Sequence, residues 1–329
     1  MKTEKNTDKY GRRHTYLRIS LTDRCNLSCF YCTPKYGLKL SDRADQLGRR
    51  EIVRTVRIAA EFGISKIRFT GGEPLFRKDI HSIIRQVKAI HGIERVSITT
   101  NGVMLKHTAA ALKDAGLDSL NISLDSLDPE RFNTITGSNA FHDVMDGIFA
   151  AIGQGFRPKI NVVALDSLGL DEADRFLEFA SIHPVTVRFI ELMPLCGEGS
   201  SKTGFVPVST IEEYLVMKHG LMNPSMDGVA KVYPLGRRGA IGFISPISHP
   251  FCDKCNRIRL SSTGTLYGCL FDSSGINIRH MLRNNTGDEE IMHIFREVLL
   301  FKKPSHGLDE SNLKDRAPEI KNLIRLIGG

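Results

Sequence analysis

Short β-branched runs alternate with longer helical patterns through the first two thirds of this chain. Six runs predict strands, at residues 16–21, 66–70, 95–100, 119–124, 159–164 and 185–192. Apolar residues at helical spacing predict helices between them, at residues 49–62, 79–90, 105–115, 141–152 and 171–180. Alternating strands and helices form a parallel sheet. The sequence therefore predicts an α/β fold, either doubly wound or an open barrel whose missing side another part of the chain covers.

Residues 193–329 have a different pattern, with proline and glycine scattered through their first part. A helix is predicted near residues 210–218, and short strands are predicted near 241–245 and 258–262. We expect this region to cover the open side of the sheet. The chain is thus expected to consist of two parts, residues 1–192 and residues 193–329.

Composition excludes several classes of protein. The 329 residues carry a net charge of +8, and 41% of them are hydrophobic, which excludes a disordered chain. No apolar run is long enough for a membrane span, and no secretory signal is recognisable, so we expect a cytoplasmic protein without a membrane partner. Because tryptophan is absent and aromatic residues make up only 7%, nucleic acid is not an expected partner.

Seven cysteines without an export signal indicate metal binding or catalysis and not a disulfide framework. Cys25, Cys29 and Cys32 form C-x3-C-x2-C directly after the first predicted strand. Three thiolates leave one coordination position open for a substrate or cofactor. A structural Cys3His zinc site is the alternative, but no histidine lies between His14 and His81.

A second triplet has the spacing C-x2-C-x13-C and consists of Cys252, Cys255 and Cys269. It again leaves one position open, although His249 or His280 could complete a zinc site here. The seventh cysteine, Cys196, has no neighbouring cysteine and is interpreted as a buried or incidental thiol.

Polar residues recur on one face of successive predicted strands, because residues i and i+2 share a face. The resulting pairs are Arg18 with Ser20, Arg68 with Thr70, Ser97 with Thr99, Ser123 with Asp125, and Lys159 with Asn161. A charge without a partner inside a barrel costs several kcal/mol or more. Three basic residues together therefore indicate an anionic ligand. Arg257 and Arg259 bring the total to five positive charges, and arginine binds anionic groups in bidentate fashion.

The first triplet and Gly71-Gly72-Glu73-Pro74 after the second strand together resemble the radical S-adenosylmethionine enzymes. The second triplet, the stretches RFTGGEPL, LDSLDPERF, IGFISP and CNRIRL, and the final Gly328-Gly329 resemble the MoaA family of molybdenum-cofactor biosynthesis. The resemblance covers nearly the whole chain.

The resemblance implies an incomplete (β/α)6 TIM-like barrel whose C-terminal region covers the open side and carries a second iron-sulfur cluster. It implies a lyase with two 4Fe-4S clusters and S-adenosyl-L-methionine, which cyclises GTP to 3′,8-cyclo-7,8-dihydro-GTP. In this family a 5′-deoxyadenosyl radical removes the 3′ hydrogen of GTP, and the ribose radical attacks C8 of guanine. The implied partners are an external one-electron donor and a downstream cyclic pyranopterin monophosphate synthase. Either a monomer or a homodimer is compatible with the sequence.

Residue roles follow from the same resemblance. Cys25, Cys29 and Cys32 hold the first cluster, and Cys252, Cys255 and Cys269 hold the second, whose open iron binds guanine. S-adenosylmethionine contacts Tyr31, Gly72, Ser123 and Met193, and Glu73 is expected to accept a hydrogen bond from its ammonium group. The residues implied for GTP are Arg18, Arg68, Thr99, Lys159, Arg257, Ile258 and Arg259. Catalytic roles are implied for Arg257, Arg259, Gly328 and Gly329.

Two other functions compete with this interpretation. One is a different radical S-adenosylmethionine enzyme with an auxiliary cluster, such as a peptide-modifying enzyme. The other is a basic binding protein in which the triplets hold structural zinc, but this leaves the basic residues inside the sheet unexplained. The loops after Cys32 and after the fifth strand depart from the family pattern without removing any of these residues.

Overall fold

A twelve-stranded sheet runs through the computed structural model, which describes residues 5–33, 40–195, 204–284, 286–313 and 327. The strands are β1 Tyr16–Ser20, β2 Lys66–Thr70, β3 Arg95–Thr100, β4 Ser119–Ser123, β5 Lys159–Ala164, β6 Thr186–Glu191, β7 Ser225–Asp227, β8 Ala230–Leu235, β9 Gly239–Ile244, β10 Arg257–Leu260, β11 Thr265–Tyr267 and β12 Ile276–Asn277. The helices are α1 Arg49–Phe62, α2 Ile80–Lys88, α3 Leu105–Asp114, α4 Pro129–Thr136, α5 Phe141–Gly153, α6 Leu170–Ile182, α7 Val208–His219, α8 Arg279–Arg283 and α9 Asp288–Phe301.

The strands β1 to β6 lie side by side in chain order, and each pairs in parallel with the next. A doubly wound sheet would place later strands on the other side of β1, so this order excludes that alternative. The six predicted strands are confirmed with small differences at their ends. The order is that of an incomplete barrel.

The C-terminal strands extend the same sheet at both edges. β10 pairs in parallel with β1, and β11 and β12 follow it in antiparallel orientation. At the other edge β9 pairs in parallel with β6, followed by antiparallel β8 and β7. The sequence pattern did not predict this arrangement, because it indicated only isolated short strands in this region.

The two faces of the sheet differ in chemistry because apolar and polar residues alternate along each strand. Leu17 and Ile19 in β1, like Ile67 and Phe69 in β2, are fully buried on one face. Helix α1 buries Ile52 and other apolar residues in the same core. The opposite face carries the arginines and hydroxyl residues that the i, i+2 spacing grouped together. The fold therefore leaves one polar face available for a site.

Three of the described helices, α4, α8 and α9, were not predicted from the sequence. In α4, the Asp128 carboxylate accepts a hydrogen bond from the Arg131 N–H at 2.9 Å, and Pro129 occupies the first turn, which is a regular helix start. In α9, Ile291 and Phe295 are among the residues that form a buried stripe, and the helix packs against α1. In the described ranges, no helix combines the length and the apolar composition needed to cross a membrane.

Candidate active site

The first cysteine triplet and the residues expected to contact S-adenosylmethionine lie near the carboxyl ends of parallel strands. Cys25, Cys29 and Cys32 follow β1, and Gly72 follows β2. Ser123 is the last residue of β4, and Met193 comes shortly after β6. The carboxyl ends of parallel strands meet at one edge of a sheet, which is where ligands bind in α/β folds. The fold therefore brings these residues to a common edge.

The glycine pair after β2 packs directly against the backbone that leads to Cys25. A Cβ atom on Gly71, whose φ is +143°, would lie 2.4 Å from the Thr22 carbonyl oxygen, and one on Gly72 would lie 2.2 Å from the Arg24 carbonyl oxygen. The Gly72 N–H also donates to the Thr22 carbonyl at 2.7 Å. These glycines are therefore required for contact between two loops, in addition to any contact with a cofactor.

The carboxylate of Glu73 is enclosed by donors from the protein. Its Oε1 accepts hydrogen bonds from the Leu75 N–H at 2.9 Å and the Thr100 hydroxyl at 2.7 Å, and its Oε2 accepts from the Asn101 N–H at 2.8 Å. Burial raises the pKa of Glu73 to about 7 despite these hydrogen bonds. Glu73 is fully buried and joins the loop after β2 to the end of β3, and the hydrogen bond expected from the ammonium group of S-adenosylmethionine stays a prediction.

Tyr31 joins the first triplet to the middle of the sheet. Its hydroxyl donates to Asp125 Oδ2 at 2.6 Å, and Asp125 Oδ1 accepts from the Val163 N–H at 2.9 Å. Burial raises the pKa of Asp125 to about 6, and burial and the nearby Asp125 and Cys29 raise the pKa of Tyr31 well above its usual value. Asp125, which the i, i+2 spacing grouped with Ser123, is therefore a partner of Tyr31.

Basic side chains from several strands occupy the polar face of the sheet. Arg259 of β10 lies beside Arg18 of β1, which lies beside Arg68 of β2. This register confirms the face predicted from the i, i+2 spacing. Arg188 of β6 joins them and donates to Asn161 Oδ1 from Nε at 3.1 Å and from Nη2 at 2.6 Å. Arg188 was missed, although its alternation with Val187 and Phe189 was a usable signal.

We call this group the cationic face, and it consists of Arg18, Arg68, Lys159, Arg188, Arg257 and Arg259. Burial, followed by the charge of Arg257, lowers the pKa of Arg259 to about 10. Burial, followed by the charge of Arg68, lowers the pKa of Arg188 to about 10. Like charges are thus held together in a buried place, which is unfavourable until an anion binds.

Tyr16 lies within the cationic face, and the positive charges there change its pKa. Its hydroxyl accepts a hydrogen bond from Arg68 Nε, while Arg68 Nη1 donates to the Thr99 hydroxyl at 3.3 Å. Burial raises the pKa of Tyr16, but the charges of Arg68, Arg18 and Arg257 outweigh burial and lower it to about 8. Thr99 and Tyr16 are therefore both in contact with Arg68 of the cationic face.

Two of the residues expected to bind GTP have other contacts in this structure. Lys159 forms an ion pair with Asp227 of β7, so a bound triphosphate would compete with this carboxylate. The side chain of Ile258 is fully buried on the apolar face, so only its backbone is available for a ligand.

The second cysteine triplet lines a cavity of about 280 Å³, together with Arg12, Lys302 and His306 among others. The backbone N–H groups of His306, Arg257 and Phe271 act to lower the pKa values of Cys252, Cys255 and Cys269, respectively. Donors directed at sulfur are a feature of iron-sulfur sites, where they tune the cluster. At the first triplet, the Leu27 N–H and Asn101 Nδ2 likewise donate to Cys25 Sγ, at 3.4 and 3.6 Å.

Electrostatic interactions link Lys302 to the thiols of the second triplet and link these thiols to the cationic face. Burial raises the pKa of Cys255, but the charge of Lys302 and the Arg257 N–H lower it below its usual value. Burial raises the pKa values of Cys252 and Cys269. The charges on Cys269 and Cys255 act on Arg259 in turn, so the second triplet adjoins the cationic face.

The described residues include no group of three His, Cys, Asp or Glu side chains arranged around a single metal ion. A four-iron cluster distributes its thiolates over separate irons, so its ligands need not converge on one point. The donors directed at Cys25 and Cys255 are compatible with such clusters.

Three of the residues singled out from the sequence, Cys196, Gly328 and Gly329, lie outside the described part of the chain. Ile327, which precedes the two glycines, is buried in a small apolar cluster with Leu195 and Leu270. Met193 packs against the same cluster. Its side chain thus has a packing role, whether or not it also contacts a cofactor.

Comparison with known proteins agrees with these features. The Radical SAM superfamily model matches residues 19–180, and the Molybdenum Cofactor Synthesis C model matches residues 185–308. The chain is 41% identical to the GTP 3′,8-cyclase of Syntrophomonas wolfei, over 98% of this chain and 99% of the relative. It is 40% identical to the GTP 3′,8-cyclase of Moorella thermoacetica, over 94% of this chain and 98% of the relative.

A solved structure shows a similar fold. The structure of SuiB from Streptococcus suis bound to S-adenosylmethionine aligns with a TM-score of 0.62 at 16% identity, over 84% of this chain and 66% of that chain. At this identity the likeness concerns the fold alone. The near full-length relatives and the two family models show that the chain belongs to the GTP 3′,8-cyclase family within the radical SAM superfamily.

Proposed function

We propose that the chain is a GTP 3′,8-cyclase, a lyase that forms 3′,8-cyclo-7,8-dihydro-GTP in molybdenum-cofactor biosynthesis. The observation that carries this proposal is the position of the second triplet beside a buried cationic face. A nucleoside triphosphate has a strongly anionic end and a neutral base, and such a site offers a partner for each. The names of the two full-length relatives support the same reaction.

In this proposal the first triplet holds a 4Fe-4S cluster with S-adenosylmethionine near Tyr31, Gly72, Ser123 and Met193. When bound, this pair supplies the radical that removes hydrogen from the substrate. The chain's own residues hold and orient the nucleotide. Arg18, Arg68 and Arg259 bind phosphate oxygens, and Thr99 and Lys159 complete the site. Lys159 exchanges its Asp227 partner for phosphate.

The second triplet would hold a further 4Fe-4S cluster in the C-terminal part, residues 193–329, and this cluster would bind the guanine base. The catalytic residues proposed here are Arg257 and Arg259, with Gly328 and Gly329 reaching toward the substrate. The burial of Ile327 beside Leu270, which follows Cys269, supports this position for the tail. An external one-electron donor and a synthase that consumes the product complete the set of partners.

Cysteine variants separate the two proposed roles. Cys25→Ser should abolish formation of 5′-deoxyadenosine under dithionite, because two thiolates hold the first cluster inadequately. Cys252→Ser should retain some 5′-deoxyadenosine formation but lose the cyclised nucleotide, because it affects only the orientation of guanine. Cys196→Ser, outside both triplets, is the matched control and should retain both products. Wild-type yields of the cyclised nucleotide from Cys252→Ser would contradict the proposal.

A further inference from the structure

A buried lysine lies among the ligands of the second triplet. Lys302 follows α9 directly, and only 2% of its surface is exposed. Its Nζ donates to Cys255 Sγ at 3.5 Å, to the Arg257 carbonyl at 2.7 Å and to the Gly268 carbonyl at 2.5 Å. Three acceptors match the three N–H bonds of an ammonium group, whereas a neutral amine has only two.

The three contacts of Lys302 connect a cysteine ligand, strand β10 and the segment that leads to Cys269. Arg257 begins β10, which belongs to the cationic face, and Gly268 immediately precedes Cys269. Lys302 thus holds Cys255, the start of β10 and the segment before Cys269 around one nitrogen atom. Loss of this nitrogen would leave two carbonyl groups without their donor.

The surroundings of Lys302 indicate what balances its charge. A buried charge costs several kcal/mol unless an opposite charge lies near it. Its two carbonyl partners are neutral. Asp272 lines the same cavity and accepts the Cys269 N–H at 2.7 Å, while Arg12 and Lys303 add positive charge. Lys302 acts electrostatically on Asp272 and on all three cysteines, so thiolates at the three cysteines and the Asp272 carboxylate are the negative charges around it.

We propose that Lys302 is a positioning residue for the second cluster and that its charge raises the reduction potential of that cluster. The inference rests on the proposed function of the second triplet. One-electron reduction adds one negative charge to a cluster, and a nearby ammonium group stabilises the more negative state. Hydrogen bonds to ligand sulfur act in the same direction.

The test compares Lys302→Gln with Lys303→Met in the full-length, anaerobically reconstituted protein. Glutamine keeps an N–H donor but removes the charge. Lys303 is exposed and lines the same cavity, so its variant loses one charge without losing a contact to sulfur. Midpoint potentials are measured by dithionite titration with electron paramagnetic resonance. The signal that does not change on addition of S-adenosylmethionine is assigned to the second cluster.

The expected result is a lower midpoint potential of that signal in Lys302→Gln, with the iron content of both variants at about eight per chain. A potential equal to that of Lys303→Met at full iron content would overturn the inference. If Lys302→Gln loses about half of its iron, Lys302→Arg should restore it by restoring the charge. Failure of Lys302→Arg to do so would also overturn the inference.

Failure of the proposed function would have a different result. A wild-type protein that holds only about four irons, all in a centre that responds to S-adenosylmethionine, lacks the second cluster. In that case the assignment of the second triplet is wrong, and the role of Lys302 falls with it. The iron count of the wild type therefore precedes the comparison of variants.

Discussion

Arg188 and Arg259 are almost fully buried on the cationic face, with 8% and 4% of their surface exposed. Neighbouring positive charges in a buried place destabilise a protein, and proteins retain them when they contribute to binding. The depressed pKa values of these two arginines express the same cost. At the scale of the residue, the buried arginines therefore favour the binding of a polyanion but lower the stability of the ligand-free protein.

Arg259→Met tests this opposition. We expect the variant to unfold about 2–4 °C higher than the wild type without GTP, since a buried repulsive charge is replaced by an apolar group. Its affinity for GTP should fall by about tenfold or more, because a charge-assisted hydrogen bond is lost. Calorimetry measures both quantities. Lys66→Met is the control, because Lys66 lies on the same face but is exposed at the start of β2; equal effects of the two variants would contradict the account.

Tyr16 reports the same electrostatic field through its titration. Its pKa of about 8 lies below the usual value, so its phenolate forms as pH rises through about 8 and the neutral phenol persists below that pH. Arg68→Met should raise this pKa, because the largest of the charges that lower it is removed. Bound GTP should raise it as well, because phosphate neutralises the arginines. Phenolate absorbance against pH, with Tyr16→Phe to identify the signal, measures these shifts; no change with GTP would contradict a triphosphate on this face.

At the scale of the element, the loops after β1 and β2 form one unit. The Gly72 N–H and the Glu73 N–H donate to the carbonyls of Thr22 and Arg24, both at 2.7 Å. Since Cys25 comes immediately after Arg24, the position of the first triplet depends on the absence of a side chain at Gly72.

Gly72→Ala should therefore displace the first triplet, although the added methyl group would contact the Arg24 backbone and not the cysteines. The added Cβ would lie 2.2 Å from the Arg24 carbonyl oxygen, and the cysteine loop must move to admit it. We expect about half of the iron to be lost and 5′-deoxyadenosine formation to fall at least about tenfold. Gly153→Ala is the matched control, because a Cβ there meets no atom within 4 Å. Full iron content in Gly72→Ala would contradict this interpretation.

The sequence allowed prediction of the elements whose pattern is local. Strands β1 to β6 carry alternating residues, and the shared face of Arg18 and Arg68 followed from that alternation. Helix α9 carried an equally clear apolar stripe and was overlooked. The pairing of β10 with β1 and of β9 with β6 could not be predicted, because strand pairing depends on contacts between distant parts of the chain.

At the scale of the whole molecule, the second site is assembled from segments that are far apart in sequence. Arg12 Nη1 donates to the carbonyls of Cys252 at 2.7 Å and Pro304 at 2.8 Å, and its Nε donates to Asp8 Oδ2 at 2.7 Å. The N-terminal segment thus holds the second triplet against the segment after α9. Motif spacing identified the cysteines, but it contains no information about Arg12 or Lys302.

The measurement that tests the central claim most directly is the fate of the 3′ hydrogen of GTP. The protein is incubated anaerobically with S-adenosylmethionine, dithionite and GTP that carries deuterium at C3′, and the products are analysed by mass spectrometry. The account predicts 5′-deoxyadenosine that contains one deuterium, formed together with 3′,8-cyclo-7,8-dihydro-GTP. Formation of 5′-deoxyadenosine without deuterium, with GTP recovered unchanged, would contradict it.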